Sequence, residues 1–191
     1  MKVVAFNGSP RKKGNTSILI KTVLEEIENE GIETEIVQLA GKDIKGCVAC
    51  FKCLEKKNFK CVAIDDFINV CIKKMIKADG ILLGSPTYFC NVSTEMKALI
   101  DRAGMVAFAN AGILRHKVGA SVSVANRTGA TQALMMMNTL FLSHEMFIVG
   151  SNYPNMALGM EKGDVEKDAW GLQIMKVLGQ NMALLLKKLN G

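Results

Sequence analysis

The segment Lys2-Val3-Val4-Ala5-Phe6-Asn7-Gly8-Ser9-Pro10-Arg11-Lys12-Lys13-Gly14-Asn15-Thr16-Ser17 decides the fold. Its first six residues form a short apolar run suited to a buried strand, closed by Gly8-Ser9-Pro10. Thr16–Asn29 follows as a helix: Ile18, Leu19, Val23, Leu24 and Ile27 share a face, Asn15 or Thr16 supplies the N-cap, and Gly31 ends it. The loop between them offers helix-terminal amides, Ser and Thr hydroxyls and the Arg11 guanidinium, which together make an anion site. Gly8 and Gly14 have five residues between them and Asn15 follows, so the Walker A pattern of an ATPase is missed. Gly-x-Gly-x-x-Gly is absent too, which disfavours a dinucleotide at this turn. A single phosphate monoester fits the loop better.

Outward from this unit the chain keeps alternating. Thr34–Leu39 reads as a second strand, Gly80–Gly84 as a third, Val118–Ala125 as a fourth and Met146–Gly150 as a fifth. Helices fill the gaps. One opens at Asp65 and Asp66, with Phe67, Ile68, Cys71, Ile72, Met75 and Ile76 inward. Ser93 caps another running to about Arg102; Ala130–His144 and Val165–Leu189 are the last two. Gly104–Leu114 is apolar without strong helical period and reads as a contact surface between copies of the chain. Five strands separated by helices predict a doubly wound parallel sheet covered on both faces. Right-handed crossovers favour the flavodoxin-like order 2-1-3-4-5, which brings the loops after strands one, three and four to the ligand-binding edge. The 191 residues are expected to form a single domain, with residues 41–62 as a cysteine-rich insertion after the second strand.

That insertion holds Cys47-x2-Cys50-x2-Cys53-x7-Cys61, four thiols within fifteen residues. Four thiolates from one loop suit a cubane [4Fe–4S] cluster. Zinc also accepts four cysteines, usually as two separated Cys-x2-Cys pairs; reduced loop cysteines or a dithiol are the remaining reading. Cys71 belongs to the core, and Cys90 is assigned no chemistry. The formal net charge of +6 is uneven, for residues 42–77 hold nine lysines against four acids. With only Phe51, Phe59 and Phe67 interleaved, this stretch lacks the aromatic stripe of a nucleic-acid groove. Attraction of an anionic electron donor is preferred over a solvated loop. His116 and His144 read as polar boundary residues. No apolar run approaches a membrane span, and the N-terminal run meets turn residues too early for a signal peptide, so a cytoplasmic protein is expected.

Gly8-Ser9-Pro10-Arg11 through Gly14-Asn15-Thr16 closely resembles the phosphate loop of the NADPH-dependent FMN reductase family. Gly84-Ser85-Pro86-Thr87-Tyr88 and Lys97-x-Leu99-Ile100-Asp101-Arg102 extend the likeness nearly end to end. Within the family the chain looks most like the iron-sulfur flavoproteins, which have a compact cysteine motif at this point. The resemblance implies FMN, with Ser9, Arg11, Asn15, Thr16 and Ser17 around the phosphate and Lys13 a weaker candidate. It assigns Pro86, Thr87, Tyr88, Phe89, Asn91 and Val92 to the flavin. The residues agree, since this turn offers amides after Pro86 and flat apolar surface from Tyr88, Phe89 and Val92. Ala125–Ala130 looks like the family's second ring-contacting loop, carrying Asn126, Arg127 and Gly129. Relatives often have two adjacent basic residues there; Asn126 replaces the first.

The resemblance leads to an FMN-dependent oxidoreductase with no side chain required as catalyst, because the chemistry belongs to flavin N5. The favoured form is an iron-sulfur flavoprotein that passes electrons between a donor, FMN and a [4Fe–4S] cluster at Cys47, Cys50, Cys53 and Cys61. Two alternatives stay open: a two-electron NAD(P)H:FMN or quinone reductase without a cluster, and a non-catalytic flavodoxin-like carrier. Expected partners are NAD(P)H or a reduced ferredoxin as donor, a small-molecule acceptor, and further copies of the chain in a homodimer or homotetramer.

Overall fold

The computed structural model describes residues 1–191. The central strands are near-continuous buried runs, and the pleat sends their side chains alternately to both faces of one parallel sheet. Strand β1 (Lys2–Asn7) lies between β2 (Glu33–Gln38) and β3 (Gly80–Pro86), and β4 (Val118–Ala125) flanks β3. Val3, Ala5 and Leu82 join the core with helices α1 (Asn15–Asn29) and α6 (Ala169–Asn190). Val4, Phe6, Ile81 and Leu83 join the opposite core with α3 (Phe67–Lys77), α4 (Thr94–Ala109) and α5 (Ala130–Leu142). With β5 at Phe147–Ile148, the sheet order is β2-β1-β3-β4-β5, as the alternation of elements predicts.

The edge position beyond β4 departs from the expected five-residue strand. β5 is only Phe147–Ile148, paired to Val118–Gly119, and a further strand, β6 (Met156–Leu158), pairs with Ser123–Ala125. Gly150-Ser151-Asn152-Tyr153-Pro154 carries the chain out of the sheet between them. Pro154 has no N–H to give to a ladder.

Helix ends are set by local chemistry. Asp66 caps α3 by accepting from the Ile68 amide at 2.9 Å, and Ser93 caps α4 by accepting from the Met96 amide at 3.3 Å. The cap of α1 is Gly14 rather than Asn15 or Thr16. The Asn15 side chain instead donates to Glu161 O and accepts from the Gly163 amide, each at 2.8 Å. Helix α4 continues to Ala109, so half of Gly104–Leu114 is helical. Its apolar period is blurred because the other helices cover one side while the cysteine loop covers Met105 and Val106. The C-terminal helix begins at Ala169, after a 3-10 turn at Asp164–Lys167. A short helix, α2 (Lys52–Lys56), lies within the cysteine loop. No helix is long and apolar enough to cross a membrane.

Candidate functional site

The loop after β1 is braced by hydrogen bonds within the protein. Asn7 Oδ1 accepts from the Ser9 amide at 2.9 Å, and Ser9 Oγ accepts from the Arg11 amide at 3.2 Å. Gln38 Nε2 donates to Ser9 O at 2.6 Å, and Ser93 Oγ donates to Gly8 O at 2.7 Å. The first intrahelical bond of α1 runs from the Ile18 amide to Gly14 O, which leaves the amides of Asn15, Thr16 and Ser17 without helix partners. Those amides carry the positive end of the helix dipole, and Arg11 stands beside them.

A cavity of about 210 Å³ opens at this terminus. Ser9, Arg11, Asn15, Thr16, Pro86, Thr87, Tyr88 and Asn126 all line it, so the loops after β1, β3 and β4 converge as expected. Val124, Gly159 and Met160 complete the wall and were not anticipated. Gly159 and Met160 follow β6, so the strand-end rule would have found them had that strand been recognised. Arg11 Nη1 donates to Met160 O at 3.1 Å and ties the two loops together.

Other expected residues lie outside this cavity. Ser17 is buried in the first turn of α1. Val92 is buried in the core, and Asn91 Oδ1 is bonded to the Val92 amide at 2.8 Å. Tyr88 and Asn91 exchange backbone bonds of 2.8 and 3.0 Å around Phe89 and Cys90, both at positive φ. The turn projects Phe89 fully into solvent. Arg127 is exposed. Gly129 adopts φ +88°, and a side chain there would meet Cys90 Cα at 2.8 Å, so glycine lets the loops after β3 and β4 touch.

The second site is the cysteine loop. Cys47, Cys50, Cys53 and Cys61 line one cavity of about 80 Å³, roofed by Arg102, Met105 and Val106 of α4. Ala49, Phe51, Lys57 and Phe59 all have positive φ, a conformation that L-residues adopt at a cost. Such left-handed turns aim backbone N–H groups into a concavity that suits an anionic centre. Asn69 pins Cys61 from both sides, accepting from its amide at 2.8 Å and donating to its carbonyl at 3.0 Å. Burial pushes the Cys53 thiol up, and the neighbouring Cys47 and Cys50 add to that shift.

An ion pair closes this loop at its base. Arg102 Nη1 reaches both Asp66 oxygens, at 2.7 and 2.6 Å, and Lys45 O at 3.2 Å, while Nη2 donates to Ile64 O at 2.6 Å. The Lys45 amide donates to Asp66 at 3.1 Å. Both ends of the loop are therefore held by one buried pair. Burial opposes charge on Asp66, but hydrogen bonds from Arg102 and the Ile68 and Lys45 amides outweigh it and hold the carboxyl below its ordinary range.

NADPH-dependent FMN reductase is the family description that matches, over residues 1–161. The chain belongs to that family. An iron-sulfur flavoprotein from Methanocaldococcus jannaschii is 40% identical over 194 residues, 98% of each chain. One from Methanosarcina thermophila is 31% identical over 98% of this chain and 96% of its own. Among solved structures, a WrbA-like flavodoxin from Agrobacterium tumefaciens matches in fold, with TM-score 0.66 over 98% of this chain and 97% of its own at 17% identity.

The family's FMN fits the first cavity, where one anion-binding terminus meets a wall formed by Pro86, Thr87, Tyr88 and Asn126. The donor set of the second site is four thiols without imidazole or carboxylate, which fits an iron-sulfur cluster. The thiols ring a cavity rather than a point: no three His, Cys, Asp or Glu side chains come together closely enough to hold a single metal ion. Helix α4 joins the two sites, since Ser93 at its cap and Arg102 over the cysteines are separated by nine residues, about 14 Å of helix. Cys71 lines neither cavity and is core, and burial raises its thiol pKa to about 12.

Proposed function

We propose that the protein is a cytoplasmic iron-sulfur flavoprotein oxidoreductase, acting as a single FMN-binding domain with the cysteine loop as its insertion. It would take electrons from NAD(P)H or a reduced ferredoxin and deliver them to a small-molecule acceptor. The observation that carries this reading is the convergence of four cysteines on one cavity, in a chain whose other cavity suits FMN. When bound, FMN supplies hydride and one-electron chemistry, and a [4Fe–4S] cluster supplies one-electron storage.

The chain's own residues bind and orient. The amides of Asn15, Thr16 and Ser17, with Arg11 and Ser9, hold the FMN phosphate. Pro86, Thr87, Tyr88 and Asn126 line the flavin end, with Phe89, Asn91, Val92, Arg127 and Gly129 shaping the loops around it. Cys47, Cys50, Cys53 and Cys61 are the cluster ligands. Lys45, Lys52, Lys56, Lys57 and Lys60 surround them with positive charge, which suits an acidic donor protein.

Self-association as a homodimer or homotetramer has its own support. A groove of about 450 Å³ between α4 and α5 is bordered by Phe108 and extends to Cys47, and Phe108, Met135 and Leu142 are exposed nearby.

The test is purification without oxygen, followed by an absorption spectrum with iron and acid-labile sulfide analysis. Brown protein with near-stoichiometric FMN, iron and sulfide is expected. Yellow, iron-free protein that oxidises NAD(P)H would instead establish the two-electron reductase.

A further inference from the structure

Arg102 has a donor left over. It lies on α4 with 1% of its surface exposed, and its Nη1 and Nη2 atoms are engaged by Asp66, Lys45 O and Ile64 O. Its Nε is the buried side-chain polar atom of the chain that has no hydrogen-bond partner. Native proteins rarely leave such a group unmatched, and a guanidinium N–H is among the most costly to leave so. The same residue lines the cysteine cavity, where every other wall residue is apolar or one of the four cysteines. Asp66 and the carbonyls of Lys45 and Ile64 account for the two ends of the guanidinium fork. They do not account for Nε.

We propose that Arg102 is a positioning residue for the cluster: its Nε–H donates to a sulfur of the [4Fe–4S] group held by Cys47, Cys50, Cys53 and Cys61. This rests on the cluster reading above. Reduction adds one electron, and so one negative charge, to a group that already carries four thiolates. A hydrogen bond to sulfur and a fixed guanidinium beside it favour that more negative form and raise the reduction potential. Asp66 sets the orientation by holding the far side of the guanidinium, so that Nε is presented to the cavity.

Arg102→Lys is the direct test, because lysine places a methylene where Nε stands while keeping a cation for Asp66. In anaerobic protein with wild-type iron and sulfide content, the variant's cluster should be about tenfold harder to reduce, a fall of about 59 mV for one electron. An unchanged potential in the loaded variant overturns the proposal. A second measurement needs no variant: wild-type protein labelled with ¹⁵N-arginine, reduced and examined by pulsed electron paramagnetic resonance, should show an arginine nitrogen coupled to the cluster spin. Arg102 is the arginine that lines the cavity, so absence of coupling overturns the proposal even where the lysine variant fails to load. Wild-type protein lacking iron and sulfide would bring down the cluster reading and this proposal together, whereas loaded protein without shift or coupling brings down this proposal alone.

Discussion

Replacing Asp66 by alanine should cost the protein about 4 kcal/mol. The carboxylate receives Arg102 Nη1, the Ile68 amide of the α3 cap and the Lys45 amide. Arg102 and Asp66 have side-chain exposures of 0% and 7%, so alanine leaves a buried cation without its partner. Breaking a pair of this kind costs roughly 3–5 kcal/mol, and a lost cap about 1 kcal/mol. Both losses fall on one carboxylate and overlap, which places the total near the middle of the range. With a urea slope of about 2 kcal/mol/M, the unfolding midpoint should drop by about 2 M at unchanged slope. Asp66→Leu combined with Arg102→Met should recover most of the loss, because no buried charge is then stranded. Acid reads the same pair. Asp66 is depressed in the folded state, so its contribution is complete above its ordinary value of 3.8 and drains away as pH falls through the lowered folded value. The difference between wild type and Asp66→Ala should therefore be flat from about pH 8 to about pH 5 and shrink below about pH 4. A midpoint drop under about 0.5 M, or a difference that grows in acid, would refute the account of how the cysteine loop is closed.

Arg11→Ala should weaken FMN by about five- to thirtyfold in titration calorimetry, the reach of a charge-assisted bond at a partly exposed site, and leave riboflavin affinity unchanged. Equal losses for both flavins would assign Arg11 to bracing Met160 rather than to phosphate. Cys53→Ala should lose iron and sulfide yet retain FMN, since the flavin loops lie elsewhere; joint loss of both cofactors would contradict two separate sites. Reduction by an acidic ferredoxin should slow as salt rises, because exposed lysines are screened over about 8–10 Å at physiological strength. A salt-independent rate would remove the lysines around the cysteine loop from donor docking.

Most of the frame was legible because the central strands are short apolar runs ended by loops of distinctive chemistry. Val3–Phe6 and Ile81–Leu83 can only be buried on both faces, and that alone implies helices on either side. What escaped was either too short or covered from two directions. Met156–Leu158 has three residues, and the detour before it passes through Pro154, so no period announces it. Gly159 and Met160 went unnoticed with it. Helix α4 beyond Arg102 lost its periodic signature because the cysteine loop buries a second face. The cysteine spacing was legible, but the positive φ of Ala49 and Phe51 was not, since neither residue favours that conformation by itself. The neighbours of Val92 suggest flavin wall, while its own side chain belongs to the core.

Asn15 gives up its role as a helix cap to hold the carbonyl of Glu161 and the amide of Gly163, and Arg11 holds Met160. These bonds join positions 146 to 149 residues apart in the chain. The strap they fasten continues into α6, whose cap Asp168 also binds the Leu158 amide at 2.9 Å. Opening of the strap therefore releases the first turn of α1, and an occupied phosphate site resists both events at once. Ligand at 100 times its Kd contributes about 2.7 kcal/mol to any opening that abolishes binding. Amide protons of residues 159–168 would then exchange with solvent up to about a hundredfold more slowly. The occupancy of a pocket built at the start of the sequence is thus recorded in the breathing of its far end.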